Sequence, residues 1–144
     1  GAYFTAIKWR LMPGQALMID LQIPENSPYS SICLTNRWSQ MLDIDCRQTS
    51  LNEAQSSVEG GRRVRVSLAN HDLGVHNWLD ARGYTSGIAT WRTTHVASPQ
   101  SPVVTVIQES EVWEHFPASQ RVTPRQRAEA IRKRQRHFRY VWAV

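Results

Sequence analysis

Six side chains, five in one segment and the sixth a little further on, have the types that bind a polar small molecule. From position 70 the chain reads Asn70-His71-Asp72-Leu73-Gly74-Val75-His76-Asn77-Trp78-Leu79-Asp80-Ala81-Arg82-Gly83, and Trp91-Arg92 follows. Asp72 and Asp80 are carboxylate acceptors, and Arg92 can meet either of them as a bidentate fork. His76 brings an imidazole, which can donate and accept a hydrogen bond. Asn77 brings an amide, and Trp78 a flat apolar face with one N–H donor. Asp72, His76, Asn77, Trp78, Asp80 and Arg92 are therefore the candidate ligand-binding set, able to line a pocket for a polar or amphipathic molecule.

The same residues also read as scaffold. Gly74 supplies a positive φ for a tight turn, Asn77 and Asp80 can hold backbone N–H groups of a long loop, and Trp78 can bury its ring. On the scaffold reading, Arg92 pairs with Asp72 or Asp80 for structural reasons alone. His71, His76 and Asp80 match no metal-ligand spacing, so no metal is expected. Asp43 and Asp45 stand two apart and would share one face of a strand. Paired carboxylates can divide acid and base work, but charge protecting an edge strand is the better account. No nucleophile elbow, phosphate-binding glycine loop or cofactor motif occurs. No catalytic residue and no cofactor are assigned.

The net charge of +5 suggests nucleic acid until its distribution is considered. Residues 121–139 hold eight basic side chains against Glu129, which leaves nine basic and eleven acidic residues elsewhere, a net of −2. A mildly acidic body with one basic segment and no recognition motif argues against nucleic acid. The basic segment is expected to be solvated or paired with Glu109, Glu111 and Glu114. Cys33 and Cys46 are too few for a disulfide framework: Cys33 is read as a small buried hydrophobe in a reducing, cytoplasmic setting, with a Cys33–Cys46 bridge as the alternative. No apolar run approaches the ~20 residues that cross a bilayer.

The elements that must position these groups are short strands. Ala16–Gln22, Tyr29–Thr35, Arg63–Leu68, Gly87–Thr94 and Val103–Gln108 alternate or are bounded by turn residues such as Pro13-Gly14, Gly60-Gly61 and Ser98-Pro99-Gln100-Ser101-Pro102. Val64, Val66 and Leu68 should point inward and Arg63, Arg65 and Ser67 outward. A short edge strand is expected around Met41–Ile44, and a long polar loop from Ala69 to Ser86. Thr123 can cap, and Pro124 begin, a basic helix over about 123–141. Its apolar stripe would be Ala128, Ile131, Phe138 and Trp142. The expected architecture is mainly β: a single domain over 1–144, an antiparallel, jelly-roll-like β-sandwich with a basic C-terminal α-helix. Six tryptophans exceed what such a core needs, and Trp113 and Trp142 are the candidate partner anchors.

The loop resembles the signature of domain of unknown function family 1214. There an Asp-Pro-Gly turn leads to Asn-Trp-(Leu/Ile)-Asp, then Gly, then a strand ending in Arg. Pro13-Gly-Gln-Ala-Leu, Leu34-Thr-Asn-Arg-Trp, Thr49-Ser-Leu-Asn-Glu-Ala-Gln and Thr123-Pro-Arg-Gln-Arg extend the likeness over nearly the whole chain. Leu73 and His76 depart from it, each standing where the pattern has or often has Pro. The resemblance implies a jelly-roll β-sandwich that forms the C-terminal part of a longer, two-domain protein, and it implies no reaction. The expected function is accordingly an accessory or interaction module. It would pack on a companion domain or a second copy through its helix and exposed tryptophans, and contribute part of a small-molecule pocket. The alternative is an enzyme domain acting on a small organic or carbohydrate-like substrate at the Asp72–Asp80 loop.

Overall fold

Eight strands form, most of them on alternating apolar and polar residues, in a computed structural model that describes residues 1–97 and 99–142, with Trp142 described by its backbone. They are β1 (Ala2–Arg10), β2 (Gln15–Gln22), β3 (Ser30–Thr35), β4 (Ser50–Asn52), β5 (Arg63–Ala69), β6 (Trp78–Asp80), β7 (Ser86–Thr94) and β8 (Val103–Gln108). Two four-stranded sheets result, in the orders β1-β7-β3-β4 and β6-β5-β2-β8. Every pairing is antiparallel except β5 with β6, which is parallel. The chain is a mainly β sandwich closed by a C-terminal helix.

The inward residues of both sheets form one core. Leu17, Ile19 and Leu21 of β2 stand beside Leu68, Val66 and Val64 of β5, and Ile7, Trp9, Ile32, Leu34, Ala89 and Trp91 come from the first sheet. Gly87 is where that packing is tightest. A Cβ there would lie 2.7 Å from the Thr35 carbonyl oxygen and 2.7 Å from Cζ2 of Trp9, so only glycine lets the tryptophan ring cross β7.

The outer face of the second sheet is covered as well. Ala16, Ala69, Trp78 and Ile107 pack under Val75, Val112 and Phe116, the last two from and just after the short helix α1 (Val112–His115). Because both faces of β6 are thus buried, Trp78, Leu79 and Asp80 are all buried and show no alternation. The long polar loop expected over 69–86 therefore contains a strand. A further strand, β1, stands where none was expected.

Two other expectations are corrected. The segment around Met41–Ile44 is not an edge strand. Met41 makes one isolated bridge to Thr35, and the Asp43 carbonyl then accepts from the backbone N–H groups of Cys46 (3.2 Å) and Arg47 (2.9 Å), closing a turn. The Asp43 carboxylate pairs with Arg82 and, at 3.8 Å, with Arg47.

The second correction concerns the helix, α2 (Pro124–Trp142). Its cap is as expected: Thr123 Oγ1 accepts from Gln126 N (3.2 Å), and Gln126 Oε1 accepts from Thr123 N (2.8 Å). Its docked face is not the stripe containing Ala128, which is exposed. The buried residues are Arg127 and Arg134, with Ile131 and Phe138 half-buried between and beyond them, a 4-3-4 spacing. The expectations for Ser98 and for the Trp142 side chain lie outside the described residues.

Candidate functional site

The sequence-predicted loop is held by its own side chains. Asp72 Oδ1 accepts from Gly74 N at 3.0 Å, and Gly74 adopts φ +78°. Asn77 is fully buried. Its Nδ2 donates to the Ser57 and Arg65 carbonyls (2.8 and 2.9 Å) and its Oδ1 accepts from Ser57 N (2.7 Å), so none of its hydrogen-bonding groups points to a ligand. Trp78 Nε1 donates to the Ala69 carbonyl at 3.0 Å. Asp80 accepts from Arg82 N and from Arg47 Nη1, both at 2.8 Å. Asp72, Asn77, Trp78 and Asp80 are thus spent on structure, the last three as buried polar groups generally are.

Arg92 is not part of this constellation. Trp91 and Thr93 point into the core, so Arg92 points out of β7 on the opposite sheet. There its guanidinium lies 5.6 Å from the Phe4 ring centre and 5.5 Å from that of Tyr29. The fork expected from Arg92 is supplied to Asp72 by Arg127, and Asp80 receives a single guanidinium hydrogen bond from Arg47.

Arg127 is the residue that sequence reasoning missed. It is only 9% exposed. Its Nε donates to Asp72 Oδ2 (2.9 Å), and its Nη1 to Gln48 Oε1 (3.1 Å) and the His76 carbonyl (3.2 Å). Nη2 donates to the Val75 carbonyl, and the guanidinium lies 5.2 Å from the Trp78 ring centre. Gln48 completes the junction by donating to the His76 (3.0 Å) and Trp78 (2.6 Å) carbonyls. Among eight basic residues in one segment, nothing local marks this one; its only signal is its place in Thr123-Pro-Arg-Gln-Arg.

About two helical turns further on, Arg134 docks α2 on β4. Only 8% exposed, it donates to Ser50 Oγ (2.9 Å), the Ser50 carbonyl (2.6 Å) and the Ile44 carbonyl (3.4 Å). No carboxylate of the described residues lies within 4 Å of it, and burial pushes its pKa below that of a free guanidinium. The two arginines thus tie α2 to the β6 and β4 edges, which lie on the same side of the sandwich. Among the described residues the helix makes no ion pair with Glu109, Glu111 or Glu114. Glu109 instead meets His71 (2.9 Å), and Trp113 is half-buried beneath Arg121, 3.8 Å from its ring centre.

Between α2 and the chain from Gln48 to Ser57 runs a cleft of about 710 Å³. Its helical wall is the column Gln126, Ala130, Lys133 and His137, one position around from the docked face. Of the six predicted ligand-binding residues, only His76 lines it, with Nε2 3.0 Å from the Gln55 carbonyl. On the far side the sandwich is open. Val104 and Val106 pair with Ile19 and Leu17, yet they remain 40% and 56% exposed at the β8 edge. Val103 on that strand, and Tyr3 and Phe4 on the β1 edge of the other sheet, are exposed too.

No family model matches the chain, and no curated protein does. Solved structures similar to it include the following two. An uncharacterised protein of Burkholderia cenocepacia superposes with a TM-score of 0.70 at 27% identity, over 76% of this chain and 30% of that one. A structural-genomics target from Vibrio parahaemolyticus does so with a TM-score of 0.58 at 12% identity, over 74% of this chain and 31% of that one. The match thus spans about a third of the length of each solved chain.

Proposed function

We propose that the chain is an accessory, interaction-type β-sandwich module that packs on a companion region through its open β1/β8 side. The observation that carries this is the β8 edge. Its core-facing valines are exposed although their neighbours on β2 are buried, and the backbone N–H and C=O groups on its outer side have no further strand to meet among the described residues. Long apolar edges of this kind are covered in stable proteins. The occupant we assign is further chain of the kind that makes up the remaining two thirds of both solved relatives. The resemblance of the Asn70–Gly83 loop to domain of unknown function family 1214 supports the same arrangement.

The alternative, an enzyme domain centred on the Asp72–Asp80 loop, is less well supported, because the carboxylates and the amide there already have partners. The test uses the chain itself and a neutral solvatochromic dye. The wild-type chain should bind the dye and self-associate as concentration rises, and Val104→Asp/Val106→Asp should lose both behaviours while unfolding at the same temperature. A monomer that leaves the dye dark would defeat the proposal.

A further inference from the structure

We infer that the cleft beneath α2 is a binding site for an amphipathic organic anion, one with a single carboxylate or phosphate head and an apolar body. The reading is independent of the packing face proposed above, which lies on the other side of the sandwich.

The lining decides the charge of the ligand. Arg127, Lys133 and Arg134 converge on the cleft together with His76 and His137, and no aspartate or glutamate lines it. Arg127 is balanced by Asp72. Arg134 is not balanced: it is buried against neutral oxygens alone, and isolated buried charge is costly unless an opposite charge arrives. Lys133, exposed on the neighbouring column, likewise has no carboxylate within 4 Å among the described residues. Two cations without a carboxylate partner, adjacent on one wall of the cleft, favour an anionic head: Lys133 can meet it directly, and Arg134, its Nη groups already donating to Ser50 and Ile44, adds positive potential.

The rest of the lining decides the body. Leu51, Ala54, Val122, Ala130 and Phe138 give the cleft apolar walls, which free inorganic anions would not use. About 710 Å³ lies within the usual range of small-molecule sites, roughly 300–1,000 Å³. A ligand seated there would touch the column Ala130–Lys133–His137 on one side and β4 on the other, so binding would clamp α2 to the sheet edge.

The experiment is calorimetric titration of the whole chain with four probes: phenyl phosphate, hexanoate, inorganic phosphate and phenol. At least one of the first two should saturate a single site with a Kd below about 1 mM, and the tighter of them identifies the head group. Lys133→Glu, on an exposed position, should weaken that probe roughly tenfold without moving the unfolding temperature. Ala130→Trp should abolish its binding by filling the cleft. The inference is overturned if neither organic anion binds. It is equally overturned if phenol or inorganic phosphate binds as tightly as the better organic anion, or if Lys133→Glu leaves the affinity unchanged.

Discussion

Replacing Arg127 by Met tests whether a single guanidinium holds the loop, the β6 edge and α2 together. Methionine keeps the length and apolar character of the stem and matches arginine in helix propensity, so the change removes the donors and the charge. The Val75 carbonyl and Gln48 Oε1 then lose their arginine donor in a buried setting, whereas the His76 carbonyl keeps Gln48 and the partly exposed Asp72 can rehydrate. Each buried acceptor left unsatisfied costs about 1–3 kcal/mol, so the two together cost roughly 4 kcal/mol. For a chain of this size that lowers Tm by roughly 10–15 °C. Arg125→Met is the matched control. Its guanidinium is 89% exposed and meets only Glu129, at 3.5 Å, so less than about 0.5 kcal/mol should be lost. Urea unfolding of both variants, followed by tryptophan fluorescence, measures the difference. If Arg127→Met costs no more than Arg125→Met, the argument that this junction organises the site is wrong.

Gly87→Ala should destabilise the sandwich by at least about 1–3 kcal/mol, because the new methyl meets backbone and the Trp9 ring at once. Near-wild-type thermal unfolding of that variant would contradict the packing described. The Glu59 carboxyl is held below its ordinary range chiefly by hydrogen bonds from the Arg65 guanidinium, against burial that raises it. A depressed folded-state value means that the pair stabilises the protein above the unfolded-state pKa and loses that contribution as pH falls through the folded-state one. Glu59→Gln should therefore be less stable than wild type at about pH 7, with the gap closing at about pH 3 in paired urea titrations. An equal gap at both pH values would show that the charge is not what matters.

The strands were legible where apolar and polar residues alternate, even where, as at Ser67 of β5, the outer face is buried too. Val64, Val66 and Leu68 alternate with Arg63, Arg65 and Ser67, and the structure buries the apolar three as the pattern requires. β4 and β6 were not legible because three residues are too few to display a period, and β6 lacks a wet face besides. In β1, Tyr3 and Phe4 put apolar groups on both faces near an open edge, which blurs the alternation. The site was the least legible part. Composition can say that a carboxylate wants an arginine, and Asp72 and Asp80 do have one each. It cannot say which, because Arg127 and Arg47 come from elements 55 and 33 residues away. Arg127 and Arg134 also invert the usual reading of a helix, in which the apolar stripe docks and the cations face water.

The way α2 is anchored also constrains how the molecule comes into being. Arg127 reaches Gln48 across 79 positions of chain and Arg134 reaches Ser50 across 84, and all eight strands precede the helix. During synthesis the β4 and β6 edges therefore emerge with their carbonyls uncovered, and they stay so until the helix has left the ribosome. Such distant closures are slow. For that interval the nascent sandwich has two open flanks instead of one, and it is then that unwanted strand pairing between neighbouring chains would begin.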